Sequence, residues 1–376
     1  MYLIKNGYSI LKNIPGYLTS RKIVVVESDD WGSIRMPSKD VYNYLIIKGA
    51  RIENDRYNRY ETLECNDDLT KLYDVLTSFR DKNGKHPVIT AVNVVANPDF
   101  EKIRQSGFNE YHYEPFTETL KRYPAHDQVY KLWKEGIEKR LFVPQFHGRE
   151  HLNVRRWMRA LQSGHKGEME AFGLGLTGLH PAVYSPFKGE YQGAFEFDTQ
   201  EDLEYLKDVI SDGINLFENL CGYRPLVFVP TNGPLSKQLE PVLAENGIKF
   251  IQTARFLYKE PLLNGKVKHH IRYLGRKNKL GQRYFIRNCV FEPNAEPGFD
   301  WVGKCLKEMD SIFAWHKPVI ITSHRVNYSG FLDPENRSTG LKMLHNLFAG
   351  MLSKWPDIEF ITSAELGELM NNNFEK

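Results

Sequence analysis

The sequence predicts an α/β fold, on three observations. Short apolar runs rich in β-branched residues recur along the 376 residues, continuous rather than alternating, as in strands buried on both faces. Between them lie stretches with helix-start and helix-stop residues at their ends. Strand and helix therefore alternate, which is the pattern of a parallel sheet, either closed as a barrel or open and doubly wound. One barrel domain accommodates this length, since such folds run to about 250 residues and more with insertions.

The elements follow in order. Residues 23–26 form the first strand and lead into Glu27-Ser28-Asp29-Asp30-Trp31-Gly32. Ser38 is placed to cap a helix over 39–48, with Gly49 to end it. Strands over 88–95 and 141–146 come next, and the latter delivers His147-Gly148-Arg149-Glu150-His151. Thr199 with Asp202 is a capping-box signal for a helix running towards Leu220, with Gly222 beyond it. Strands over 226–229 and 248–251 bracket a helix over 236–246 that Gly247 stops. Residues 319–322 lead to Ser323-His324-Arg325; a last strand covers 358–361, after which Thr362 and Glu365 open the C-terminal helix.

Two stretches break the alternation and read as insertions. Residues 163–198 are rich in glycine and aromatics. Residues 259–292 read as a basic β-hairpin, with strands over 269–274 and 283–291 around Gly275 to Gly281 and with Arg272, Arg276, Lys277, Lys279, Arg283 and Arg287 among its cations. Its charge suits an acidic glycan or a phosphate-bearing carrier, and equally a solvated edge protected from strand pairing.

Residues 1–19 read as an amphipathic helix packed on the body, because Lys5, Asn6, Lys12, Asn13 and Pro15 interrupt any leader-like apolar run. A net charge of +3 supplies no global field for nucleic acid. No apolar run approaches the roughly 18 to 20 residues that span a bilayer. Cys65, Cys221, Cys289 and Cys305 are too scattered for a zinc knuckle or a disulfide framework, so reduced thiols and a cytoplasmic location are expected.

The chemistry-bearing residues all fall where strands leave the sheet, the end at which α/β enzymes place active sites. Asp29 and Asp30 point to opposite faces if the chain is extended there, and so need not share a role. His147 and His151 reach one metal if His151 sits on the first turn of the following helix. His324, alone, is as consistent with a structural histidine as with a catalyst. Together the three stretches supply a carboxylate and two imidazoles for one divalent metal, with a carboxylate and an imidazole left for proton transfer.

In residue type and order these motifs resemble the polysaccharide deacetylase (NodB-homology, carbohydrate esterase family 4) superfamily, with the likeness running from Ile23 to Arg325. The resemblance implies a distorted (β/α)7-type barrel of the glycoside hydrolase/deacetylase kind. It further implies a metal, zinc foremost, held by Asp30, His147 and His151, with Asp29 as general base and His324 as general acid. The activity implied is removal of N-acetyl, or O-acetyl, groups from a saccharide, with residues 1–376 as one catalytic domain. The family's Arg-x-Pro segment aligns with 226–233, where Pro230 and Gly233 are present and the arginine is absent; Arg149, Arg325 and Arg224 are the candidates to replace it. Trp31, Arg149, Pro230, Thr231, Asn232 and Arg325 are expected around the substrate. Gly148 stands where the family has Ser or Thr, and Glu292, Glu296 and Asp300 are available to tune His324. Two other readings stay open: a C–N hydrolase acting on a non-sugar amide, and a glycan-binding protein on the same fold.

Overall fold

The structure is a computed structural model that describes residues 15–374 apart from Pro234, Ala254 and Arg255. Most of the helix expected over residues 1–19 lies outside the described residues; 15–19 are not helical, and Tyr17 is buried with its amide donating to the Leu274 carbonyl.

Thirteen strands are present among the described residues: β1 (Ile23–Trp31), β2 (Ile89–Val94), β3 (Ala96–Pro98), β4 (Tyr113–Pro115), β5 (Phe142–Gly148), β6 (Val227–Phe228), β7 (Phe250–Gln252), β8 (Phe256–Pro261), β9 (Val267–Arg272), β10 (Arg283–Phe285), β11 (Cys289–Val290), β12 (Val319–His324) and β13 (Glu359–Phe360). Nine of them make one sheet in the order β10-β7-β6-β5-β2-β1-β12-β11, with β13 also on β1. Every pairing in it is parallel. Each apolar run singled out in the sequence is one of these strands. The crossovers are helical as expected, among them Asn66–Thr77, Val129–Glu138, Gln200–Cys221 and Trp301–Ala314. The caps also stand: Ser38 accepts from Val41, Thr199 and Asp202 form the capping box, and Gly222 ends its helix at φ 81°.

The sheet curls into a barrel. Strands β10 and β11 lie at opposite ends of the pairing order yet are separated by only Ile286, Arg287 and Asn288. Those chain steps reach at most about 14 Å, so the two edges nearly meet without pairing. One apolar cluster likewise joins Val25 of β1, Val92 of β2, Phe250 of β7, Phe285 of β10 and Ile320 of β12 to Leu366 and Met370 of the C-terminal helix, which closes one end of the interior. The alternate residues Val24, Val26, Ile89, Ala91 and Phe142 pack outward against Leu72, Met309 and Leu344 of the surrounding helices.

The expected basic hairpin is corrected in its pairing. Strand β9 pairs antiparallel with β8, not with 283–291. Residues 283–291 instead contribute β10 and β11 to the barrel, on either side of its seam. Short strands at a barrel edge lack the long apolar run that betrays a central strand, and the flanking cations hid them. The 163–198 insertion starts with the helix Lys166–Gly173 and is packed, not loose. Leu176, Leu179 and Phe187 pack with Met36 and Leu45, while Phe195 and Phe197 share a cluster with Phe228 of β6. Among the described residues no helix is long and apolar enough to cross a membrane.

Candidate active site

The odd-numbered residues of β1 face the barrel interior, so Val25 is followed on that face by Glu27 and Asp29. Simple alternation would turn Asp30 outward. The structure corrects that expectation: Asp30 adopts a left-handed backbone, φ 74°, and the pairing of β1 with β2 slips between Ser28 and Trp31. This irregularity swings Asp30 into the same pocket as Asp29 and sends Trp31 outward beneath it.

A pocket of about 280 Å³ opens at these strand ends, lined by Asp29, Asp30, His147, His151, Arg287 and His324. Asp30 Oδ1 lies 3.3 Å from His147 Nε2 and 3.2 Å from His151 Nε2. His147 Nδ1 is 2.6 Å from the Val229 carbonyl, an acceptor only, so Nδ1 carries a proton and Nε2 is the nitrogen turned towards Asp30. Burial keeps His151 below the usual imidazole range, favouring its neutral form. For Asp30, burial would raise the pKa, but His151, His147 and Arg35 outweigh it and hold the carboxyl well below its ordinary range. Three potential ligand atoms, one from each of Asp30, His147 and His151, thus sit within 4.8 Å of one another. This donor set fits a divalent cation. His151 sits in a bend before the helix Val154–Gln162 rather than on its first turn, so a loop aims it at Asp30.

The opposite wall is built from two ion pairs. Asp29 and His324 are register partners on the adjacent parallel strands β1 and β12, with Nε2 3.9 Å from Asp29 Oδ2. Arg287 reaches in from the seam and grips Asp29 through both Nη atoms, each at 2.6 Å, while its Nε donates to Glu27. Burial alone would raise the Asp29 pKa; Arg287 and His324 overcome it and hold the group below the usual carboxylate range. His324 Nδ1 is 2.5 Å from Glu292 Oε1, and Glu292 Oε2 accepts from Arg56 and Asn327 at 2.9 Å each. Burial would lower the His324 pKa, but Glu292, Asp29 and Asp30 raise it to about 9, so the ring is an imidazolium at neutral pH with Nε2–H towards the pocket.

Pro230 and Asn232 line the pocket, together with Tyr57, Glu190, Gln192 and Gln252. The other expected substrate contacts are corrected. Trp31 is fully buried, its indole N–H donating to Ser28 Oγ. Thr231 is buried and accepts from the Ala194 amide. Arg149 is spent on Glu150 and Asp212, at 2.7 Å each, and Arg325 on Glu61 and Glu64. Arg224 pairs with Glu218 on the outside. The arginine that grips Asp29 is instead Arg287, from a segment read as a solvated hairpin. Its signal was Glu27 two residues before Asp29: two carboxylates on one face of a buried strand require a cation. Of the candidates for tuning His324, Glu292 touches the ring, whereas Asp300 caps the helix Trp301–Ala314. Arg35, which bridges Asp30 and Glu61, was not anticipated. Gly148 has φ 147°, and an added Cβ would lie 3.2 Å from the Glu150 carbonyl oxygen and 3.3 Å from the Phe195 ring, so the strand exit there favours glycine.

No protein-family model and no curated protein matches this chain. Among solved structures, it is similar to a Mycobacterium smegmatis protein assigned to the polysaccharide deacetylases, at 10% identity and TM-score 0.46, over 96% of this chain and 93% of that one. An allantoinase is similar at 11% identity and TM-score 0.44, over 93% and 90% of the two chains. A 4-α-glucanotransferase from Thermococcus litoralis is similar at 10% identity and TM-score 0.45 over 92% of this chain, which spans 40% of the length of that enzyme. The solved structures similar to this chain thus include polysaccharide deacetylases and other α/β enzymes, each with about one residue in ten in common.

Proposed function

We propose that this chain is a metal-dependent hydrolase that removes acetyl groups, N-acetyl foremost, from a saccharide, as a divergent member of the polysaccharide deacetylase superfamily. The observation that supports the reading is the meeting, in one pocket, of the Asp30-His147-His151 donor set with the Asp29–Arg287 and His324–Glu292 pairs. A divalent ion held by those three residues, zinc by donor type, supplies Lewis-acid polarisation of an acyl oxygen and acidifies water.

The chain's own residues do the rest. Asp29, kept ionised by Arg287, accepts a proton from the attacking water. His324, kept protonated by Glu292, gives its Nε2 proton to the amine nitrogen as the C–N bond breaks, and free amine and acetate leave. Tyr57, Gln192, Asn232 and Gln252 offer the hydrogen-bonding rim that a polyhydroxylated ring needs.

The test is acetate and amine release from chitooligosaccharides by the zinc-loaded protein, with a chelated sample as control. Release that depends on metal supports the reading. Stoichiometric metal at the site with no acetate released from N- or O-acetylated sugars overturns it.

A further inference from the structure

A second cavity, of about 510 Å³, shares no lining residue with the pocket of Asp29 and His324. It lies between strand β9, the loop from Arg276 to Leu280 and the start of the helix Glu240–Glu245. Glu240 is the one carboxylate in its lining, and it is fully engaged: Oε1 accepts from Arg272 at 2.9 Å and Tyr284 at 2.8 Å, and Oε2 from Asn278 at 3.0 Å. Lys237, Arg276, Lys277 and Lys279 line the same space, and among the described residues no carboxylate forms an ion pair with any of them. Elsewhere Arg149, Arg156, Arg325 and Arg337 are each bound to two carboxylates.

The cationic loop is held in shape. Asn278 anchors to Glu240, and its Oδ1 accepts from the amides of Leu280 and Gln282, both at 3.0 Å, while its own amide donates to the Gln282 carbonyl at 2.8 Å. Arg272, 1% exposed and stacked between Tyr258 and Tyr284, also lines the cavity, and its Nε has no hydrogen-bond partner. A fixed loop that gathers cations beside a neutralised carboxylate sets up a local positive potential that attracts an anion. Ile271 and Leu280, 53% and 50% exposed, add an apolar flank. An edge protected merely against strand pairing would need neither the cavity nor the anchored loop.

We propose that this cavity binds a phosphate-bearing anion of diphosphate size, with Lys237, Arg276, Lys277 and Lys279 on the phosphates and Ile271 and Leu280 beside an apolar substituent. The site stands independently of the acetyl chemistry at Asp29. Two sources share this chemistry, a soluble diphosphate ester and a phosphate headgroup on a lipid surface.

Isothermal titration of the full chain with inorganic pyrophosphate tests it. Saturable binding of one pyrophosphate per chain is expected, weakened about tenfold or more in Lys277→Ala/Lys279→Ala, as loss of charge-assisted contacts predicts. Lys139→Ala, which removes an exposed cation paired with Glu135 on an outer helix, is expected to bind as the parent does. An unchanged Tm establishes that the double variant is folded. Flotation with phosphatidylcholine vesicles, with and without phosphatidylglycerol, separates the sources: pyrophosphate binding without flotation assigns a soluble ester, and pyrophosphate binding with flotation lost in the double variant assigns a lipid headgroup. No saturable pyrophosphate binding, or binding indifferent to the double substitution, overturns the proposal whatever the vesicles show.

Discussion

On one wall of the pocket Asp30 faces two imidazole nitrogens, and on the other Asp29 faces a guanidinium and an imidazolium, although the two aspartates are adjacent in sequence. The Asp29 wall is complete in its ion pairs, with Arg287 and His324 set against Glu27, Asp29 and Glu292. The Asp30 wall instead gathers one carboxylate oxygen and two imidazole nitrogens within 4.8 Å of one another, a donor set that a divalent cation would complete. Neighbouring side chains of one type thus acquire different work from a single backbone irregularity and from what the facing strands present. On the proposed reading, one wall receives an ion and the other holds and moves protons.

Removing a member of the incomplete wall should have the largest effect. His147→Ala is expected to abolish both metal binding, read by elemental analysis, and turnover. Added zinc should raise the Tm of the parent protein through binding linkage and leave that of the variant unmoved. A variant that retained stoichiometric metal would break the assignment of that wall. Next comes the complete wall: Asp29→Asn should retain metal and lose about 10²- to 10⁴-fold in turnover, the usual worth of a general base. If metal and turnover fell together, the division between the walls would be wrong.

Arg287 sharpens the comparison from the side of stability. It is the guanidinium partner of both Glu27 and Asp29, so Arg287→Met leaves two buried carboxylates without that cation. A loss of about 3–5 kcal/mol in unfolding free energy is expected, read by denaturant titration. Turnover should fall about 10- to 100-fold in the fraction that folds, with metal still bound. The sign with pH follows from the Asp29 pKa: with the guanidinium gone, burial raises it, so the acid limb of the rate profile should move to higher pH.

Much of this arrangement was legible in the chain. The strands ending in Asp29-Asp30, His147 and His324 announce themselves by continuous β-branched runs, and their carboxylate and imidazole ends mark the site. What escaped was of two kinds. Side-chain direction after an irregular backbone is invisible to period-2 reasoning, so Asp30 facing Asp29's pocket and Trp31 facing the outer helices could not be read in advance. Partners brought by closure are equally hidden: Arg287 and Glu292 flank the two-residue strand β11 at the barrel seam, and nothing local says that such a segment borders the pocket. Arg149 and Arg325, nearer in sequence to the motifs, looked better placed but have their own buried carboxylates.

The smallest effect expected, and the one most specific to the proton-transfer wall, comes from Glu292→Gln. In the parent, His324 has a pKa of about 9 because Glu292, Asp29 and Asp30 outweigh burial. A rate that requires its proton is therefore full at neutral pH and falls as pH rises through about 9. The side-chain amide of the variant can still accept a hydrogen bond from Nδ1–H but offers no charge, so burial regains influence and the His324 pKa falls. The basic limb should then move to lower pH, with turnover at pH 7 reduced only several-fold and turnover at more acidic pH close to that of the parent, where His324 is protonated in both. A variant that lost activity equally at every pH would mean that Glu292 positions the ring without setting its charge. Asn327 and Arg56 also bind Glu292, so Asn327→Ala provides the comparison: it loosens the carboxylate without removing its charge and should leave the limb near its parental position.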